Sequence, residues 1–257
     1  MRKAVIAGNW KMNTNLNEAM NLVKQLIPVA EEALCVEVIV GPPFVHIPAL
    51  AQVRKGSRLA LSAQNMFWED KGAFTGEVSA LMLQEYECEY VIIGHSERRL
   101  YLQESDGMIN KKLKAALRHS LLPIVCVGET LQHRQENKTW QVIKSQLDGA
   151  FKELTEAEIN KFIIAYEPVW AIGTGIAAKP EDAIMVHNQI REYLEHSYSK
   201  GLANAMRILY GGSVTSENIR SFISNDTIDG GLVGGASLKF NEFSAIIRTT
   251  NEIKGEK

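Results

Sequence analysis

The chain has 257 residues, of which 46% are hydrophobic and 23% charged, with a formal net charge of −2. This is an ordinary globular composition, and without a basic excess neither nucleic acid nor an anionic membrane surface is expected as a partner. The three cysteines, Cys35, Cys88 and Cys126, are unclustered and show no CxxC spacing, so neither a zinc site nor a disulfide framework is indicated and a cytoplasmic location is expected.

The N-terminal residues Met1-Arg2-Lys3 run straight into an apolar stretch, with no secretory h-region and cleavage site behind them. No apolar run reaches the roughly 18 residues of a membrane span. Short apolar, β-branched runs recur along the whole length. They predict strands over 4–8, 36–40, 59–63, 90–93, 122–127, 162–166, 207–210 and 228–233. Their lack of polar alternation is that of parallel strands covered on both faces. Helical patterns fill the intervals. Ala19, Leu22, Val23 and Leu26 share one face before Pro28. Ile109, Leu113, Ala116 and Leu117 share another, behind the capping pair Ser105-Asp106. Pro180 sits at a first helical position followed by Glu181 and Asp182, and Thr215 is a cap for the helix of Phe222 and Ile223. Eight such units across residues 1–257, with no linker or low-complexity segment, predict one α/β domain, a (β/α)8 barrel. A doubly wound sheet would show a glycine-rich phosphate loop after its first strand, and Gly8-Asn9-Trp10-Lys11 is not one.

In a barrel, chemistry gathers at the C-terminal strand ends. There stand Asn9 and Lys11 after the first strand, His95 and Glu97 after the fourth, Glu167 after the sixth, Gly211-Gly212-Ser213 after the seventh and Gly234-Gly235 after the eighth. The two glycine doublets either make tight turns or expose backbone N–H groups to a phosphate; both occurring at consecutive strand ends favours phosphate. Lys11 and Glu97 also have the makings of a plain salt bridge. No HxH or HExxH spacing offers a metal site. A base at Glu167, a polarising group at His95, a cation at Lys11 and an anion cradle suit proton abstraction beside a carbonyl in a small phosphorylated molecule. Nothing suits hydride transfer. Glu167 is followed by Pro168, Trp170 and the glycines Gly173 and Gly175, a pattern of stiff hinge and pliable tip that fits a lid over the base.

These residues resemble the triosephosphate isomerase family. The matching segments are Gly8 to Asn13, Ser62 to Asn65, Lys71 to Glu77, Val91 to Arg99, Ala165 to Gly175, Tyr210 to Val214 and Leu232 to Leu238, in order and nearly end to end. The resemblance implies interconversion of dihydroxyacetone phosphate and D-glyceraldehyde 3-phosphate through an enediol(ate), with no cofactor and no metal. It implies Glu167 as the base, neutral His95 as the electrophile, Lys11 and Asn9 as stabilisers of developing charge, and Glu97 as an orienting group behind them. Backbone N–H groups of Gly173, Ser213, Gly234 and Gly235 would hold the phosphate. The lid would run from Pro168 through Trp170 to about Ala178, latched by Tyr210 and Ser213. The long loop from Asn65 to Glu77, with Phe74, Thr75 and Gly76 near its tip, would insert into a second subunit, giving a homodimer. The chain departs from the family at Ile176, where a Lys is usual; a β-branched residue there is expected to alter lid opening. Another phosphate-binding barrel would lack Gly-His-Ser-Glu-Arg-Arg and Glu-Pro-Val-Trp, and a non-catalytic barrel would have lost Lys11, His95 or Glu167; neither holds here.

Overall fold

The structure, a computed structural model, describes residues 2–172 and 178–256. Eight parallel strands close on themselves in sequence order: β1 (Ala4–Asn9), β2 (Val36–Gly41), β3 (Ala60–Ala63), β4 (Tyr90–Ile93), β5 (Leu122–Val127), β6 (Ile163–Tyr166), β7 (Arg207–Tyr210) and β8 (Gly230–Val233). The apolar runs forecast every strand, with ends shifted by at most two residues. The expected (β/α)8 barrel is the fold.

Two apolar compartments explain why the strands read as unbroken hydrophobic runs. Alternate residues point inward, among them Val5, Ala7, Tyr90, Ile92, Cys126, Ala165, Leu209 and Leu232, and pack across the barrel axis. Their neighbours point outward into a second, larger cluster against the helices. With a period of two, Ala7 leads inward to Asn9, Ala165 to Glu167 and Leu209 to Gly211. The inward set thus changes from apolar to polar at the mouth, where water is available.

The helices follow their forecast faces. Ser105 and Pro180 take the expected positions at the starts of Asp106–Arg118 and Pro180–Ser197. Thr215 exchanges hydrogen bonds with Asn218, which is the residue that precedes the short helix Ile219–Ile223. The first helix differs: it spans Leu16–Glu32 and passes through Pro28. Pro28 is exposed, so the carbonyl that loses its N–H partner there can turn to water, while Val29 and Ala30 beyond it still bury.

A buried charged cluster anchors the β3–β4 side. Lys112 donates to Glu104 and to Asn65 Oδ1, the latter at 2.7 Å, and Arg98 Nε lies 3.4 Å from Glu104. Lys112 and Glu104 are both buried, so each is tolerated only because of the other. The cluster joins the start of the long loop after β3 to the helix after β4. Glu104→Ala is expected to lower unfolding free energy by about 3–5 kcal/mol in urea denaturation. The double replacement Glu104→Leu/Lys112→Met is expected to recover much of that loss, because no charge is left stranded.

Candidate active site

Glu167 stands one residue beyond β6, and strand register decides its surroundings. Cys126 pairs with Ala165, and Ala165 with Leu209, so the ends of β5, β6 and β7 finish level. Both flanking positions are glycines. A Cβ on Gly128 would lie 1.8 Å from the Glu167 carbonyl oxygen, and one on Gly211 would lie 2.9 Å from Glu167 Cγ. The carboxylate fits because neither neighbour carries a side chain.

Across the mouth, His95 caps the helix Ser96–Tyr101, with its Nδ1 accepting from the Glu97 N–H at 3.3 Å. With Nδ1 occupied as an acceptor, the ring proton of neutral His95 is on Nε2, which lies 2.9 Å from Glu167 Oε1. The Ser96 N–H donates to Glu167 Oε2 at 2.9 Å. Glu167 and His95 are almost wholly buried, at 2% and 5% exposure.

That burial and those bonds oppose each other. Burial raises the Glu167 carboxyl, yet His95, by charge and hydrogen bond, together with the Ser96 N–H, holds it below the usual carboxylate range. Burial pulls the His95 imidazolium down, yet the Glu167 charge and bond lift it above the ordinary histidine value. The carboxylate is therefore ionised in this arrangement, and its basicity is masked by its two donors.

Lys11 completes the ring of charge. Its backbone is left-handed at φ 54°, uncommon for a residue with a Cβ, and is held in place from two sides. Its N–H donates to Asn9 Oδ1 at 3.1 Å, and its carbonyl accepts from Gln64 Nε2 at 2.8 Å. Its ammonium pairs with Glu97 Oε1 at 2.6 Å, while Glu97 Oε2 lies 3.6 Å from His95 Nδ1. The salt bridge foreseen for Lys11 and Glu97 is present, and Asn9 serves as a turn acceptor for the same loop.

Asn9, Lys11, His95 and Glu167 line a hollow of about 30 Å³. It shares Lys11, Ile172, Gly212 and Gly234 with a cavity of about 530 Å³ whose wall includes Ser213 and Gly235. The backbone N–H groups of Ser213, Gly234 and Gly235 have no acceptor among the described residues. So a polar pair lies beside a set of backbone donors without acceptors, with Lys11 bordering both spaces. No group of three or more His, Cys, Asp or Glu among the described residues is arranged to hold a metal.

The chain past Glu167 turns at Pro168 into the single turn Val169–Ala171. Trp170 Nε1 donates to Glu129 Oε1 at 2.8 Å, and Tyr166 donates to the same oxygen at 3.1 Å. Arg134 lies over the Trp170 ring at 4.2 Å and pairs with Asp182 at 2.8 Å. Tyr210 is buried and stacked on Phe222. Gly173 and Ile176 lie outside the described residues. The residues 64–79 form the long loop after β3, in which Phe67 stacks on Trp68 and packs against Phe74. Phe74 itself is 43% exposed, and Thr75 and Gly76 beside it are exposed too.

Residues 4–250 match the family model of triosephosphate isomerase. The triosephosphate isomerase of Caldanaerobacter subterraneus subsp. tengcongensis is 52% identical over 247 residues, covering 96% of this chain and 99% of that protein. Those of Clostridium tetani and a Thermoanaerobacter species are 51% and 50% identical over the same length, covering 96% and 99% of those proteins. The chain belongs to the triosephosphate isomerase family. Membership accounts for the whole barrel, from β1 to the last helix, Phe240–Gly255.

Three participants were missed from sequence. Glu129 follows Val127-Gly128 at the end of β5, where the strand-end rule that finds Glu167 would also have found it. Gln64 and the Ser96 N–H carry no such signal, because their roles come from backbone contacts made in three dimensions.

The coupling of His95 to Glu167 is measurable. In Glu167→Gln the two largest influences that raise the His95 pKa are removed, while burial, which outweighs the remaining Glu97 charge, stays. Its titration, followed by NMR of the labelled imidazole across about pH 5 to 8, is expected to move downward, below both the parent and the ordinary value.

Proposed function

We propose that this chain interconverts dihydroxyacetone phosphate and D-glyceraldehyde 3-phosphate by proton transfer through an enediol(ate), without a cofactor. The observation that carries the reading is a buried Glu167–His95 contact at 2.9 Å in a hollow adjoining the cavity of Ser213, Gly234 and Gly235, whose backbone N–H groups have no acceptor among the described residues. Glu167 takes a proton from one carbon of the bound triose and returns it to the next. For this, it must leave the Ser96 N–H and turn one oxygen to the substrate. That exchange removes the donors that mask it, so burial then works in its favour as a base.

His95 loses its carboxylate partner in the same movement. Burial and the positive end of its helix then favour the neutral ring, whose Nε2–H donates to the substrate oxygens as charge develops. Lys11 adds a fixed positive charge, Asn9 a second polar contact, and Glu97 keeps the Lys11 ammonium and the His95 ring in place. The phosphate is held by Ser213, Gly234 and Gly235, with Gly173 contributing from the lid. Pro168 and Trp170 begin that lid, Ala178 ends it, and Tyr210 and Ser213 latch it shut. Closing excludes water, which would otherwise compete for every donor and give the intermediate a route to side reactions.

A homodimer accords with this reading. Met12 is 95% exposed, Val45 79%, Tyr101 73% and Leu102 59%, a large apolar display for a monomer. The loops of Met12 and Val45 are tied together where His46 meets the Thr14 carbonyl at 3.0 Å. Phe74, Thr75 and Gly76 would fill a partner's surface near Asn9 and Lys11. Among the described residues no helix is long and apolar enough to cross a membrane, and a cytoplasmic location fits.

Two measurements test these assignments. Turnover of D-glyceraldehyde 3-phosphate in a coupled assay is expected for the parent chain. It should fall by about 100-fold or more in Glu167→Asp, whose carboxylate is withdrawn by about 1 Å. Solution mass is expected at twice the 28.6 kDa chain. Phe74→Asp should halve it and depress turnover, and a parent that runs as a monomer at full activity would overturn the dimer.

A further inference from the structure

Behind Glu167, on the side away from the barrel axis, lies a second cavity of about 220 Å³, walled by Ser96, Val127, Gly128, Gln146, Glu167 and Val169 among others. Side-chain packing therefore does not support the Glu167 backbone from that direction, as it would elsewhere in a core. Two backbone bonds do: the Glu167 N–H donates to the Val127 carbonyl at 2.8 Å, and the Val169 N–H donates to the Glu129 carbonyl at 3.1 Å. Both acceptors flank Gly128. The segment 127–129 is thus the template along which the base and the first lid residues lie, and the approach is so close that a Cβ at Gly128 would lie 1.8 Å from the Glu167 carbonyl oxygen.

Gly128 is itself held by one side chain. Its N–H donates to Gln146 Oε1 at 2.8 Å, and its carbonyl accepts from Gln146 Nε2 at 3.0 Å. Gln146 comes from the helix Thr139–Ala150, which is fastened to the barrel by buried Ile143, Leu147 and Ala150. A planar amide that satisfies both polar groups of one residue fixes the plane of that backbone as well as its position.

We propose that Gln146 is a positioning residue for Glu167: by clamping Gly128 it sets where the carboxylate stands and how the chain leaves toward the lid. This rests on the reading of Glu167 as the base. Gln146 does not reach the phosphate side of the site, so its loss should act on proton transfer and spare the anion grip. The cavity has room for water. In Gln146→Ala, water can reach Gly128 and restore part of its bonding, whereas in Gln146→Leu an apolar side chain of similar size leaves both groups unpaired.

Steady-state kinetics, competitive inhibition by inorganic phosphate and thermal unfolding, measured on the parent, Gln146→Ala and Gln146→Leu, test the proposal. The expected result is kcat reduced by about 10-fold to 100-fold in Gln146→Leu and less in Gln146→Ala. KM and the phosphate inhibition constant should stay within about 2-fold of the parent, as expected for lost transition-state stabilisation. Should Gln146→Leu not fold, the same split between kcat and phosphate inhibition is read from Gln146→Ala alone. Unchanged kcat in the folded variants overturns the proposal. So does a parallel loss of kcat, phosphate affinity and melting temperature, which is the mark of general loosening. A parent without isomerase activity refutes instead the reading of Glu167, so the two failures are distinct.

Discussion

The site depends on one steric constraint: three strand ends finish level, and the middle one carries a carboxylate with no Cβ on either side. Register sets Gly128 and Gly211 against Glu167, and both approaches are too close for any other residue. Crowding the base with backbone instead of side chains leaves its direction to hydrogen bonds. These can be exchanged for others at little cost, whereas packed side chains cannot. The base that the proposed function makes of Glu167, moving between a resting contact and a substrate, would need that kind of support. The rigid part is the closed barrel, whose inner and outer apolar layers leave the strand ends no freedom to shift.

The resting contact has an electrostatic logic. A buried carboxylate without partners would take up a proton and cease to be a base. Here the donors at His95 and Ser96 favour the ionised form. Their removal then exposes the basicity that burial confers. The same exchange releases His95 from a carboxylate that favours its charged form. One displacement thus adjusts both partners in the direction that proton abstraction requires, a stronger base and a neutral donor. The 30 Å³ hollow between them is too small for a triose phosphate, which is consistent with a contact that the substrate must open.

Much of this was legible in the sequence because it rests on local rules. Buried parallel strands read as apolar runs, and polar residues at their ends read as a site, so Asn9, Lys11, His95, Glu167 and the two glycine doublets fell into place. What escaped were features that depend on register or on one long-range contact. Nothing in the local pattern of Gly128 tells that its neighbour is the strand end of Glu167, and nothing in Lys112 foretells Glu104. Pro28 misled for the opposite reason. A local rule ends a helix there, and an exposed position lets it continue. Glu129 obeyed the strand-end rule, but its position behind the lid hinge, bonded to Tyr166 and Trp170, follows only from the packing of β5 against β6.

The proposed function would divide two tasks between two halves of the barrel. Proton transfer would be supported from β4, β5 and β6, by side chains and by the backbone of 127–129. The anion would be held from β7 and β8, by backbone donors that a change of side chain barely touches. Lys11, just past β1, lies between them and borders both cavities, and its strained backbone is fixed by Asn9 and Gln64. The cost of that strain is met during folding, so on the proposed function no binding free energy of a ligand is needed to place the cation that borders both cavities.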